Sequence, residues 1–219
     1  MGRWSKNIMI DSSFEKQQDD PQAKFNRVHQ GETLDFSELS PGLNKIMIGL
    51  GWDMIGFEAD APDLDASVFL LNKEGLTRQN EDFIYYNNMI ALDGAIEHKG
   101  DNRTGAGDGD DENIVIDLDK IPFDIMKIQF VVSIYDAQTR GHSFLDVRNV
   151  FFRVVDSENK RELFRYFLDG ELKANERGTA LKVGYIFRDG DKWMFTAEGE
   201  LIEDGLNRVA TTYGMIIAG

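Results

Sequence analysis

What most limits the fold of this chain is a recurring pattern of short strand-like runs. From Lys45 onward, runs rich in β-branched and aromatic residues alternate with clusters of Gly, Asp and Asn: "KIMIGLGW", "ASVFLL", "DFIYY", "NIVIDL", "KIQFVVSIY", "RNVFFRVV", "RELFRYFL", "LKVGYIF" and "KWMFTAEG". Many short strands at this spacing predict a sandwich or barrel. Within "KIQFVVSIYD", Ile128, Phe130, Val132 and Ile134 share one face, and Lys127, Gln129, Val131, Ser133 and Tyr135 share a more polar one, as the two-residue period of a strand requires. Asp189-Gly190 in "FRDGDKW" lies between two such runs and predicts a hairpin. Helical patterns are confined to short pieces at Asp35–Leu39 and Gly205–Thr212. The expectation is an all-β protein, a β-sandwich of two packed sheets with short peripheral helices. Residues 1–30, with the polar stretch "DSSFEKQQDDPQAK", read as a flexible or variable arm, and residues 31–219 as the sandwich domain.

Charge narrows the functions open to such a fold. The 219 residues carry 39 acidic and 24 basic side chains, for a formal net charge of −15. No basic stripe is present to displace counterions from phosphates, so nucleic acid is not an expected partner. A cationic partner is what the balance favours. The absence of cysteine excludes disulfides, thiolate metal sites and cysteine nucleophiles. No apolar stretch reaches the roughly 18 residues of a membrane span, and the N-terminus lacks a signal-peptide core. A cytoplasmic location is the resulting expectation.

The densest chemistry lies in "GDNRTGAGDGDDE", Gly100–Glu112, which puts five carboxylates and four glycines in thirteen residues against a single base, Arg103. Calcium takes six to eight oxygen ligands, and glycines let a loop turn its carbonyls toward an ion. Asp101, Asn102, Gly105, Asp108, Asp110, Asp111 and Glu112 supply both requirements. Upstream, "DAPDLDAS" brings Asp60, Asp63 and Asp65 to the entrance of a strand, and "EDFIYYNN" places Glu81 and Asp82 before a strand and Asn87 and Asn88 after it. The EF-hand register fails, because the sixth loop position counted from Asp101, Asp63 or Asp108 is Ala106, Val68 or Asn113 rather than glycine. Acidic runs also occur as merely solvated surface. Spacing alone leaves both readings open.

Taken in order, "GLNKIMIGLGWD", "DLDASVFLL", "EDFIYYNN", "HKGDNRTGAGDGDDENIVIDL", "VRNVFFRV" and "GTALKVGYIFRDGDKWMF" resemble the TerD-domain family of bacterial tellurium-resistance and stress-response proteins, itself similar to cAMP-binding-protein-like proteins of slime moulds. The resemblance runs from about Gly42 to Gly205. It implies a two-sheet β-sandwich that binds calcium, commonly two ions, through its acidic loops, with no enzymatic activity. It also implies protein partners from the same stress-response system, in assemblies that can be membrane-associated. Carried over by motif, the implied ligands are Asp63, Asp65, Asp82, Asn88, Asp101, Asn102, Gly105 (through its carbonyl), Asp108, Asp110, Asp111 and Glu112.

Other features read more plainly. Trp52, Tyr85, Tyr86, Phe151, Phe152 and Trp193 are assigned to the core, where strand aromatics usually lie. His98 is read as a strand-end polar residue and His142 as an exposed turn residue. No nucleophile signature accompanies the three histidines, and "GAGDG" lacks the Lys-Ser/Thr of a phosphate loop. The functional expectation is a non-catalytic calcium-binding stress-response protein, whose ions order the acidic loops to present a partner-binding surface. The alternative is an acidic scaffold that binds a basic partner directly, with calcium incidental.

Overall fold

The computed structural model describes residues 26–54, 62–101, 109–172 and 178–216. Two sheets carry the chain. The first has the order β1 (Arg27–Val28), β11 (Glu162–Phe167), β10 (Val147–Asp156), β3 (Lys45–Met54), β8 (Glu112–Asp117), β7 (Ile96–Asp101) and β6 (Ile90–Ala91). The second has the order β2 (Thr33–Asp35), β13 (Lys192–Ile202), β12 (Ala180–Asp189), β9 (Lys127–Ile134), β4 (Leu64–Leu71) and β5 (Phe83–Ile84). Pairing is antiparallel throughout, apart from the parallel pair β1–β11. The strand Arg27–Val28 falls inside the segment read as an arm, so the fold starts before residue 31; residues 1–25 lie outside the described residues.

Alternation places the core. Ile46, Ile48, Leu50 and Trp52 of β3 meet Ile114 and Ile116 of β8, Val150, Phe152 and Val154 of β10, and the inward residues of the second sheet, Leu64, Val68, Leu70, Ile128, Phe130, Val132 and Ile186. The helices are α1 (Phe36–Leu39), capped by the Asp35 side chain, α2 (Ala137–Arg140), α3 (Asp169–Leu172) and α4 (Gly205–Thr212), of which the first and last fall where they were expected. The two-residue turn between β12 and β13 is Gly190-Asp191, with Asp189 paired to Lys192, one place later than the Asp189-Gly190 reading.

One face departs from expectation. Gln129, Val131 and Ser133 of β9 were assigned to a polar outer face, yet all three are buried. The cause is α4, whose Val209 and Ala210, with Tyr213 and Met215, cover Phe69, Leu71, Phe83 and Val131 in a second, smaller core. Gln129 stays satisfied there: its amide donates to the Gly184 carbonyl at 3.0 Å and to Glu198 at 2.8 Å, and its carbonyl oxygen accepts from the Tyr213 hydroxyl at 3.2 Å. A buried amide of this kind is tolerated only when its donors and acceptor are met.

Candidate functional site: an acidic rim

Antiparallel pairing brings the ends of β3, β5, β7 and β9 and the starts of β4, β8, β10 and β12 to one end of the sandwich. Most of the acidic motifs collect on this rim. The run Asp110-Asp111-Glu112 enters β8 with successive side chains turned in different directions, and each carboxylate has its own protein partner. Asp110 receives a two-pronged contact from Arg153 of β10, Nε to Oδ1 at 2.7 Å and Nη2 to Oδ2 at 2.9 Å. The Asp111 backbone N–H donates to Leu50 at 2.7 Å, and its Oδ2 accepts the Trp52 backbone N–H at 3.0 Å, continuing the β3–β8 ladder with a side chain. Glu112 turns into the sandwich and accepts the backbone N–H of Ala66 on β4, which joins the two sheets. A buried N–H left without such an acceptor would be costly.

Electrostatics separates the three. Burial pushes the Asp111 carboxyl above the ordinary range; the Trp52 N–H opposes this, and the negative charges of Asp110 and Asp53 reinforce it. For Arg153, burial works against the charged form, but hydrogen bonds to Asp110 and Glu162 outweigh it and raise the pKa. His98, read as a strand-end residue, is buried within β7, with Nε2 3.9 Å from the Glu112 carboxylate and Nδ1 accepting the Gly100 N–H at 3.2 Å.

The implied ligands do not all converge. Asp63 and Asp65 stand at the start of β4; the Asp63 carbonyl accepts the Tyr135 N–H at 2.8 Å, and Asp65 lies opposite Ser133. Asp82 lies in an ion pair: Arg78 donates Nη2 to Oδ1 at 2.7 Å and Nε to Oδ2 at 2.9 Å, and the Arg78 backbone N–H adds a third contact at 2.9 Å. Asp110 is likewise tied to an arginine. Asn88 uses its amide to close the Tyr85–Asn88 turn, donating to the Phe83 carbonyl at 2.6 Å. Asp101 stands in register with Glu112 at the end of β7, whereas Asn102, Gly105 and Asp108 lie outside the described residues. Among the described residues, no three His, Asp or Glu side chains are grouped to hold a metal ion. The cavity behind Glu112, bordered by Ala66, Phe130 and Phe152, is about 10 Å³, too small for an organic ligand.

The sequence reading missed Arg153, which is 43 residues from Asp110. The available signal was Gly49-x-Gly51 in "KIMIGLGWD". Glycines two apart bare one face of a strand for close approach, and here that face holds the Asp110 carboxylate and the Phe151 ring. A Cβ at Gly49 would sit 2.3 Å from Asp110 Oδ1. Gly49→Ala is accordingly expected to displace that carboxylate from Arg153 and cost about 1–3 kcal/mol, as overpacking does. A urea melt superimposable on that of the parent would show that Asp110 does not rest on Gly49.

Comparison with known proteins agrees with this architecture. The TerD domain profile matches residues 26–213. The chain is 41% identical over 187 residues to general stress protein 16U of Bacillus subtilis (strain 168), covering 85% of this chain and 95% of that protein. It is 41% identical over 186 residues to tellurium resistance protein TerD of Serratia marcescens, with the same coverage. A crystal structure described as a homologue of telluride resistance protein, from Streptomyces coelicolor A3(2), superposes with a TM-score of 0.63 at 22% identity, covering 80% of this chain and all (100%) of that one, which supports the fold. With a β-sandwich of this topology and a match spanning nearly all the described residues, the chain belongs to the TerD domain family of tellurium-resistance and stress-response proteins.

Proposed function

We propose that this protein acts in stress resistance by binding rather than by catalysis, and that calcium on the acidic rim orders a surface for a protein partner of the same response. Supporting this reading is one observation above all: Asp111 is only 6% exposed, yet its carboxylate faces the charges of Asp53 and Asp110. A divalent cation would offset both the burial and the repulsion. The oxygen donors of Asp111 suit calcium, and this carboxylate would contribute to holding it; Asp82 and Asp110 are engaged by arginines, and Glu112 by the Ala66 N–H. Calcium bound there would neutralise the rim and link binding to stability, adding about 2.7 kcal/mol at 100 times its Kd.

The test is calorimetric titration of chelator-stripped protein with calcium, with magnesium as control. Asp111→Asn is expected to lose most of the calcium heat, whereas Asp110→Asn keeps it. Absence of calcium heat in the parent protein would refute the reading. Without calcium the same Asp111→Asn variant should be the more stable protein at neutral pH. The raised carboxyl imposes no penalty below the unfolded value of 3.8, and its penalty grows as pH rises through the folded pKa. The advantage should therefore vanish on acidification.

A second reading, direct binding of a basic partner, is favoured by the half-exposed tyrosines beside Asp65. Binding of that kind would weaken steeply with ionic strength, and calcium chelation would retain its selectivity over magnesium.

A further inference from the structure

Tyr86, expected in the core, is 42% exposed, and Tyr135, read on the more polar face of its strand, is 50% exposed. Their rings stand at 83° with centroids 6.2 Å apart, and Tyr85 meets Tyr86 at 79° and 5.2 Å. Tyr85 is held by stacking on Phe83, which stacks on Phe69, itself packed on Tyr213, so the corner is backed by a fixed row of rings. Tyr86 sits at the tip of the Tyr85–Asn88 turn, and Tyr135 is anchored by its N–H to the Asp63 carbonyl. Extending the Val68–Ile84 register places Tyr86 beside Ala66, next to Asp65. The negative charge of Asp65 also bears on the Tyr86 hydroxyl.

From this arrangement we infer that the Tyr86–Tyr135 corner, with Asp65, is a docking point for an arginine side chain from a basic segment of a partner protein. Two ring faces at nearly a right angle offer cation–π contact to a cation between them. A planar guanidinium can lie on one ring while its edge donates to the neighbouring carboxylate, which a rounder ammonium does less well. The net charge of −15 favours the approach of such a segment. The inference gives chemical identity to the partner in the reading above, but it does not require calcium.

The experiment follows tyrosine ring resonances of the full chain during titration with N-acetyl-arginine methylamide, in chelator, with N-acetyl-norleucine methylamide as the neutral control. Saturable shifts of Tyr86 and Tyr135 are expected with the arginine compound alone, and Tyr86→Leu and Tyr135→Leu should each weaken binding about 2- to 5-fold, since a cation–π contact at an exposed site contributes about 0.5–1 kcal/mol. Both positions are exposed enough for the variants to be expected to fold, and circular dichroism melts would check this. Equal shifts with the norleucine compound, or undiminished arginine binding in the double Leu variant, would overturn the proposal, the first pointing to a plain apolar patch and the second to bare charge attraction. Asp111→Asn separates the two claims: it should lose calcium heat and retain the arginine shifts, so either can fail alone.

Discussion

Replacing Arg153 with Met is expected to remove about 3–5 kcal/mol of stability, the usual penalty for leaving a buried charge without its partner. The Asp110 side chain is 5% exposed and rests against Gly49, with Arg153 gripping both its oxygens. Glu162 would suffer less, because Arg165 also donates to it, Nε to Oε1 and Nη2 to Oε2, both at 2.9 Å. The double variant Arg153→Met/Asp110→Asn should recover much of the loss, since no uncompensated charge remains. Urea unfolding of the three proteins decides the matter. A loss below about 1 kcal/mol in the single variant would mean that the pair behaves like an ordinary surface ion pair.

Arg78→Leu is the second large effect, again about 3–5 kcal/mol. Its partner Asp82 has a side chain only 1% exposed, and Arg78 is the donor to both of its oxygens. The Arg78 contact to Asp124 adds little, because that carboxylate is 61% exposed. The substitutions should be asymmetric. Asp82→Asn keeps an acceptor for the Arg78 backbone N–H and leaves an arginine that water can reach, so it should cost clearly less than Arg78→Leu. It should also leave calcium heat intact. Thermal melts that rank the two variants in the opposite order, or a calcium response lost with Asp82→Asn, would return Asp82 to the ligand set.

Local pattern made the architecture readable. Strand alternation in "KIQFVVSIYD", the hairpin signal in "FRDGDKW" and the short helix at Asp35–Leu39 are set by neighbours within a few residues, and each appears in the structure at or within one place of its expected position. The outer face of β9 was not readable in this way. Whether Gln129 meets water depends on α4, about eighty residues later, laying Tyr213 across it. Two-residue periodicity reports which residues share a face but not what covers that face.

The acidic run shows the same division. Its charge, its glycines and its membership of the family motif are properties of the chain, and they determined that carboxylates gather at one end of a two-sheet β protein. Tertiary structure alone decided what each carboxylate does. Asp110 meets an arginine from β10, Asp111 a backbone N–H of β3, and Glu112 a backbone N–H of the opposite sheet. Hydrogen bonds and ion pairs act over about 3 Å, and residues dozens of positions apart come within that range only when the two sheets close. The sequence by itself thus determined the fold class and the sign of the rim, while packing determined which acid pairs with an arginine and which accept backbone N–H groups.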